Sequence, residues 1–284
     1  MSRNLVVRIA FAVPAIAVTL VALWLGAWVL ATLVAALAVL GTREIYDLAR
    51  KRGVEPLETL GLAAAAAIPF GTFWVKDFAA WEPVLYGAAV WLLVVLVAAV
   101  RARGPERRPL EAVAVTVFGA LYASALLAFV VAIRHGPHSD AHPRGSAALV
   151  ALPLVVTWVG DTCSMAAGTL VGGPKLAPVL SPRKTWAGAV GGVVGAVLAA
   201  LIYGPLVLSR VALGLTLWQL LVAGVVLAVA AQVGDVAESL FKREAGVKDS
   251  SSLFPGHGGV LDRLDSLYFV LPVSAGLFRL FGVA

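Results

Sequence analysis

Acidic and basic side chains are concentrated between residues 232 and 265 of this 284-residue, mostly apolar chain. Helical spacing places Asp235, Glu238, Ser239 and Lys242 on one face, because they stand at i, i+3, i+4 and i+7. The other charged residues of the segment are Arg243, Glu244, Lys248, Asp249, Asp262, Arg263 and Asp265. Carboxylates of this kind can hold a divalent metal, and Lys and Arg can neutralise phosphates. The segment holds no Ser–His–Asp arrangement.

A glycine-rich turn is expected at Pro255-Gly-His257-Gly-Gly259, where the missing side chains let the backbone approach a ligand closely. Asp262 and Asp265 are i, i+3 neighbours, and we expect them to open the last membrane span. Acidic residues also stabilise helix N-termini, and long charged side chains reach the membrane surface. Capping is therefore the alternative interpretation, but the density of charge in a chain that is otherwise nearly charge-free favours a functional site.

A second polar segment runs from Asp161 to Trp186. Asp161 lies inside or at the end of an apolar run, where a carboxylate is costly unless it is paired or hydrated. Five glycines and prolines between residues 172 and 182 exclude a regular helix there. Ser181-Pro-Arg-Lys184-Thr then precedes the next span, so hydroxyls, cations and free N–H groups gather near a helix N-terminus. Either an anion site or an ordinary positively charged loop fits this pattern.

Together these residues resemble the signature of the phosphatidate cytidylyltransferase (CDP-diacylglycerol synthase) family. That signature is a Ser, two residues, Lys-Arg, four residues, Lys-Asp, then a Pro, His-Gly-Gly, an apolar pair and Asp-Arg-x-Asp. From Ser239 to Asp265 every polar position is filled with that spacing. Residues 232–239 and 181–186, and less specifically 42–49, resemble the family's other segments, and the match is strong over residues 157–270.

Three places depart from the family pattern. Ser164 stands where the family usually has an aromatic residue, and Val171-Gly172-Gly173 stands where it usually has Phe-Gly-Lys. Ala187 stands where a Glu usually follows Lys-Thr-Trp. These departures concern the contacts of the sixth and seventh spans and leave the 235–265 segment unchanged.

The resemblance implies an enzyme that transfers a cytidylyl group from CTP to phosphatidic acid, giving CDP-diacylglycerol and pyrophosphate. It implies Asp235 and Asp262 as metal-binding catalytic carboxylates for Mg²⁺, with a second, monovalent cation such as K⁺ sharing them. Lys242 and Arg243 are implied to neutralise the triphosphate or the leaving pyrophosphate. It also implies a homodimer. The substrate-binding residues implied are Ser181, Lys184, Ser239, Lys248, Asp249, His257, Arg263 and Asp265.

Composition predicts the elements that must position these residues. The chain is 61% hydrophobic and 13% charged, far from the roughly 45–50% apolar and about 25% charged of a soluble domain. This composition predicts an all-α, polytopic membrane protein, because an open sheet cannot satisfy the hydrogen bonds of its backbone groups in lipid. We predict a single membrane domain over 1–284, with N-terminal helices in 1–146 and a catalytic half in 147–284. Nine spans are predicted, at 4–21, 23–41, 59–75, 84–100, 110–133, 147–168, 186–206, 213–232 and 264–281. Gly188, Gly191, Gly192 and Gly195 are expected to allow close helix approach.

Positive charge predicts the orientation. With nine spans, 17 of the 22 Lys and Arg residues fall on the side of the N-terminus, which the positive-inside rule makes cytoplasmic. We therefore expect a polar active site at the cytoplasmic face of the cell's inner membrane. The net charge of +6 is typical of attraction to a membrane surface rather than of nucleic-acid binding.

Two rival functions fit parts of the pattern. One is another lipid-phosphate enzyme, such as a CTP-dependent lipid kinase or a prenyltransferase. A prenyltransferase is expected to carry two facing Asp-rich motifs, whereas only the pair Asp262 and Asp265 is present. The other rival is an ion-coupled transporter using Asp161, Asp235 and Asp265, which predicts charges deep in several spans. Most charges lie at span ends instead.

Overall fold

The structure, a computed structural model, describes residues 3–75, 81–136, 143–211, 213–254, 256 and 258–283. The chain divides into two compact units. The N-terminal unit comprises Met1–Val131 and Glu244–Arg263, and the C-terminal unit comprises Ala132–Arg243 and Leu264–Ala284. The single membrane domain expected from the sequence stays a prediction.

The described part of the N-terminal unit consists of helices, connecting turns and a non-helical loop within residues 245–260, which contains one isolated bridge between Phe254 and Gly258. The first two helices separate at Gly26 rather than near residue 22, because Gly26 takes a φ of 62°, a left-handed conformation that glycine adopts freely. The helices are α1 (Arg3–Leu25), α2 (Ala27–Arg50), α3 (Glu58–Trp74), α4 (Trp81–Ala102), α5 (Pro109–Ala120) and α6 (Leu126–His135), which continues into the other unit. A 3₁₀ turn at Pro105–Arg107 precedes α5, and a π-helical turn at Leu121–Ala125 follows it.

Tyr46 ties α2 to α3 and α5. Its ring is fully buried, and its hydroxyl donates to the carbonyl of Thr116 at 2.8 Å. A Cβ placed on Gly61 in α3 would overlap the Tyr46 hydroxyl, and one on Gly119 in α5 would lie 2.5 Å from the ring. The last turns of α2, which also carry Glu44, are therefore held firmly within this unit.

The C-terminal unit combines long helices with a short antiparallel hairpin. Glycines with positive φ at residues 172 and 173 turn the chain after the first long helix and into the hairpin. The hairpin pairs Lys175 with Thr185 and Ala177 with Ser181, which confirms that no regular helix forms there. The elements are α7 (Pro143–Leu170), β1 (Lys175–Ala177), β2 (Ser181–Thr185), α8 (Trp186–Leu206), a 3₁₀ turn (Leu208–Val211), α9 (Leu217–Glu244) and α11 (Leu267–Leu280); α10 (Leu261–Leu264) bridges the two units in sequence.

Glycines let α8 pack closely on α7. A Cβ on Gly191 would overlap the Cβ of Ala167, and one on Gly195 would lie 2.5 Å from the Cβ and Sγ of Cys163. The expected close approach of helices at these glycines is confirmed. It brings α7, which carries Asp161, next to the hairpin that leads into α8.

Six helical segments of the described chain are long and apolar enough to cross a membrane, so this is a multi-pass membrane protein. The count of nine stays a prediction, because α3 has 17 residues and α11 only 14. The predicted eighth span, 213–232, overlaps a helix that begins at Leu217 and continues to Glu244. The prediction that Asp262 and Asp265 open one helix is wrong. Asp262 lies in the single turn of α10, and Asp265 lies in a turn before α11.

Candidate active site

A polar pocket of the C-terminal unit gathers residues from both polar segments of the sequence. Helices α7, α8 and α9 and both hairpin strands contribute to its wall. Carboxylate, amide, hydroxyl and ammonium groups therefore face one small space, although they come from parts of the chain up to 74 residues apart. The residues lining the pocket are Asp161, Ser164, Leu176, Lys184, Thr185, Ala189, Gln232 and Asp235.

Lys184 and Asp235 form the ion pair of this pocket. The Lys184 Nζ lies 2.6 Å from Oδ2 of Asp235, and both side chains are partly exposed. Strand β2 delivers Lys184, and its last residue, Thr185, caps α8 by accepting a hydrogen bond from the backbone N–H of Gly188 at 3.1 Å. The lysine expected to bind a substrate phosphate and the carboxylate expected to bind a metal are thus neighbours.

Asp265 adds a half-buried carboxyl group to the electrostatic surroundings of this pocket. It lies in the turn between α10 and α11, outside the six candidate spans. Burial first, and then the negative charges of Asp235 and Asp161, raise the pKa of Asp265 to about 7, against the lowering effects of the Ser266 N–H and of Lys242. Asp265 therefore titrates near neutral pH. We call Asp161, Lys184, Asp235 and Asp265 the Asp235 cluster.

The polar face predicted around Glu238 forms as the last turns of α9. Lys242 Nζ lies 2.6 Å from Oε2 of Glu238, and both side chains are almost completely buried. Ser239 is buried beside them. Arg243 is exposed and donates from Nε to the carbonyl of Leu180 at 3.3 Å. In this structure, Lys242 therefore neutralises a buried carboxylate of its own helix, and Arg243 braces the hairpin beside Ser181.

Asp262 belongs to the N-terminal unit, where it accepts hydrogen bonds from the signature loop, the name we give to residues 250–254, 256 and 258–262. Its Oδ2 accepts hydrogen bonds from the N–H and the hydroxyl of Ser250 and from the N–H of Gly259, each at 2.8 Å. The signature residues Lys248, Asp249 and Arg263 are exposed. His257 and Pro255 lie outside the described residues.

Glu44 is the residue of this region to which sequence reasoning gave no role. It is buried in α2 and accepts hydrogen bonds from four donors of the signature loop. The only signal in the sequence was the weak family resemblance of residues 42–49, which carries no hint of a contact more than 200 residues away.

Comparison with known proteins shows the family of this chain. A model of the cytidylyltransferase family matches residues 6–281, nearly the whole chain. The chain belongs to the cytidylyltransferase family. The family resemblance seen in the sequence is thereby confirmed.

Curated relatives within the cytidylyltransferase family share part of the chain. A protein named phosphatidate cytidylyltransferase from Brucella suis biovar 1 is 44% identical over 140 residues, which cover 49% of this chain and 48% of the relative. Proteins of the same name are 44% identical over 119 residues in Staphylococcus saprophyticus and 46% over 120 residues in Staphylococcus epidermidis, each covering 42% of this chain and 44% of the relative. The matched part thus spans about half the length of these relatives.

Proposed function

We propose that this cytidylyltransferase-family member transfers a cytidylyl group from CTP to phosphatidic acid, giving CDP-diacylglycerol and pyrophosphate. The observation that carries the proposal is the 44% identity over 140 residues to a protein named phosphatidate cytidylyltransferase. The Asp235 cluster supports it, because phosphoryl chemistry needs carboxylates and cations side by side, as Asp235 and Lys184 are.

The reaction makes modest demands on acid–base chemistry. A phosphate oxygen of phosphatidic acid attacks the α-phosphorus of CTP, a new P–O bond forms, and the bond between the α-phosphorus and the bridging oxygen breaks to release pyrophosphate. The attacking phosphate monoester is already anionic at neutral pH, since its second pKa is about 6. No histidine base is needed to activate it. The main obstacle is the mutual repulsion of two polyanions, which positioning and positive charge must overcome.

We assign Asp235 and Asp262 as the carboxylates that hold Mg²⁺, with a second, monovalent cation such as K⁺ sharing them, on the strength of the family resemblance. The surroundings of Asp235 suit a hard cation. The groups around it are carboxylate, amide and hydroxyl oxygens, including those of Asp161 and Gln232, and Mg²⁺ prefers oxygen ligands. An ammonium group, that of Lys184, already neutralises Asp235. When bound, Mg²⁺ supplies charge neutralisation on the reacting phosphates.

Cationic side chains complete the proposed site. Lys184 and Ser181 are assigned to a substrate phosphate, and Lys242 and Arg243 to the triphosphate or the leaving pyrophosphate. The remaining signature residues, Ser239, Lys248, Asp249, His257, Arg263 and Asp265, are assigned to substrate binding. Arg243 and Lys248 are exposed, which suits groups that meet a water-soluble nucleotide.

We further propose that the site faces the cytoplasm at the inner membrane and that the protein is a homodimer. The excess of Lys and Arg on the side of the N-terminus supports the orientation, and water-soluble CTP is available there. The acyl chains of the lipid substrate would then remain in the bilayer. The family resemblance supports the dimer, which light scattering of the detergent-purified protein tests directly.

Position-specific labelling of CTP tests the reaction. Purified protein in detergent is incubated with phosphatidic acid, Mg²⁺ and CTP carrying ³²P at either the α or the γ phosphate. We expect label in the lipid product from α-labelled CTP only, with pyrophosphate released and no product without Mg²⁺. Lipid labelled from the γ position would identify a lipid kinase and overturn the proposal. Ion flux into proteoliposomes without nucleotide, and without liponucleotide formation, would favour the transporter.

A further inference from the structure

We propose that Glu44 is a positioning residue for the reaction: its carboxylate holds the signature loop in place and, through that loop, the orientation of Asp262. The catalytic part of this inference rests on the proposed function. The structural part rests on contacts within the N-terminal unit alone, where α2 and the signature loop both lie.

Glu44 is the hub of a hydrogen-bond network. Its Oε1 accepts from the hydroxyl of Ser251 at 2.7 Å and from the N–H of Val260 at 2.9 Å. Its Oε2 accepts from the hydroxyl of Ser250 at 2.8 Å and from the N–H of Leu261 at 2.9 Å. Only 5% of the residue is exposed, and a buried charge is costly unless hydrogen bonds compensate it. Four donors from one loop provide that compensation and bind the loop to α2.

Ser250 links Glu44 to Asp262. Its hydroxyl oxygen lies 2.8 Å from Oε2 of Glu44 and also 2.8 Å from Oδ2 of Asp262. A hydroxyl has one proton to donate, so the two carboxylates share a single donor. Three consecutive backbone N–H groups of the loop also donate to these two carboxylates. Gly259 donates to Asp262, and Val260 and Leu261 donate to Glu44. A shift of Glu44 would therefore be transmitted to Asp262.

The two glycines of the His-Gly-Gly element make room for these carboxylates. A Cβ on Gly259 would overlap both carboxylate oxygens of Glu44 and the hydroxyl of Ser250. Gly258 has a φ of +77°, and a Cβ there would overlap Oδ2 of Asp262. The glycines are thus required where the loop backbone presses against Glu44 and Asp262, which ties Glu44 to the same signature as Asp262.

The test compares Glu44→Gln with Asp47→Asn. Glutamine keeps the shape of the side chain, but its NH₂ group would face loop donors instead of accepting from them. Asp47 lies one turn further along α2, is half-exposed and pairs with Arg50 instead of the loop, so its variant controls for loss of a negative charge on the same helix. Hydrogen–deuterium exchange measures protection of the amides at residues 250–261, and turnover across a Mg²⁺ series measures the metal concentration for half-maximal rate.

For Glu44→Gln we expect at least about tenfold faster amide exchange in the signature loop, with the rest of the protein unchanged. The Mg²⁺ concentration for half-maximal turnover should rise about 10–100-fold, the usual effect of losing a group that orients a metal ligand. Asp47→Asn should match the wild type in both measurements. Exchange and Mg²⁺ dependence of Glu44→Gln equal to the wild type would overturn the proposal.

Other combinations of results distinguish the structural role of Glu44 in the loop from its effect on the reaction. Faster loop exchange with an unchanged Mg²⁺ dependence would overturn the catalytic role. A wild-type protein that forms no product would overturn the proposed function, and loop exchange would then decide whether Glu44 holds the loop. If Glu44→Gln does not fold, Ser250→Ala takes its place, because the lost hydroxyl contacts both carboxylates. A melting temperature and a Mg²⁺ requirement equal to the wild type in Ser250→Ala would overturn the proposal.

Discussion

Asp235 is the residue whose surroundings bear most directly on the chemistry. Its carboxylate pairs with Lys184 at 2.6 Å and shares a pocket with Asp161 and Gln232. A carboxylate within reach of both an ammonium group and other carboxylates can exchange one cationic partner for another. The proposed role of Asp235 as a metal ligand requires this property.

Replacing Asp235 with Asn should lower turnover of CTP and phosphatidic acid at least about 100-fold, because the amide cannot supply the negative charge that a cation requires. Turnover is measured across a Mg²⁺ series in detergent, with thermal unfolding as the check that the variant is folded. Glu55→Gln is the control, since Glu55 is exposed and pairs with Arg50 on the other unit. Near-normal turnover in a folded Asp235→Asn variant would contradict the metal assignment.

The raised pKa of Asp265 predicts that the stability of the protein depends on pH. Burial, then the charges of Asp235 and Asp161, raise the pKa of Asp265 in the folded protein from 3.8 to about 7. Between these values the folded state binds more protons than the unfolded state, so the contribution of Asp265 to stability falls as the pH rises. Asp265→Asn removes this loss. The melting temperature of Asp265→Asn should exceed that of the wild type by more at about pH 8 than at about pH 5. An equal difference at both pH values would contradict the raised pKa of Asp265.

The packing of helix α8 helps to determine where the residues of the pocket lie. Its close packing on α7 depends on Gly191 and Gly195, and its N-terminus continues directly from the strand that carries Lys184. If α8 moved away from α7 by the width of one methyl group, the pocket wall to which both helices contribute would change. The glycines are therefore part of what positions Lys184 relative to Asp161.

Gly191→Ala should destabilise the protein by about 1–3 kcal/mol, because the added Cβ would overlap Ala167, which has no flexible end that can move aside. The control is Gly276→Ala in α11, where a Cβ would meet nothing within 4 Å and helix propensity improves by roughly 1 kcal/mol. Thermal unfolding in detergent measures both variants. A Gly191→Ala variant as stable as Gly276→Ala would show that the helices are not closely packed here.

At the scale of the whole molecule, the distribution of charge predicts the orientation in the membrane. The test uses two exposed arginines in a protein whose single cysteine, Cys163, has been replaced by Ser. Arg107→Cys is predicted on the cytoplasmic side and Arg210→Cys on the outer side. In right-side-out vesicles, a membrane-impermeant maleimide should label Arg210→Cys at once and Arg107→Cys only after permeabilisation. The reverse pattern would invert the topology.

The sequence alone was sufficient for the fold class, the family and most helix positions. An apolar run of about 20 residues has few alternatives to a spanning helix, and a signature with fixed spacing identifies its family. Boundaries were less accurate where a helix continues past its apolar part, as α9 does to Glu244, because hydropathy ends before helical hydrogen bonding does. The break at Asp265 was also missed, because the spacing of Asp262 and Asp265 suits a continuous helix equally well.

Only the tertiary structure decided which polar groups are partners. Lys184 with Asp235, and Glu44 with the signature loop, are pairs joined by packing across tens to hundreds of residues. Local periodicity carries no information about such contacts, because it reports which face of an element is polar and not what that face meets. The requirement that a buried carboxylate find donors is what selects Glu44 and the loop as partners, and it acts only once the chain has folded.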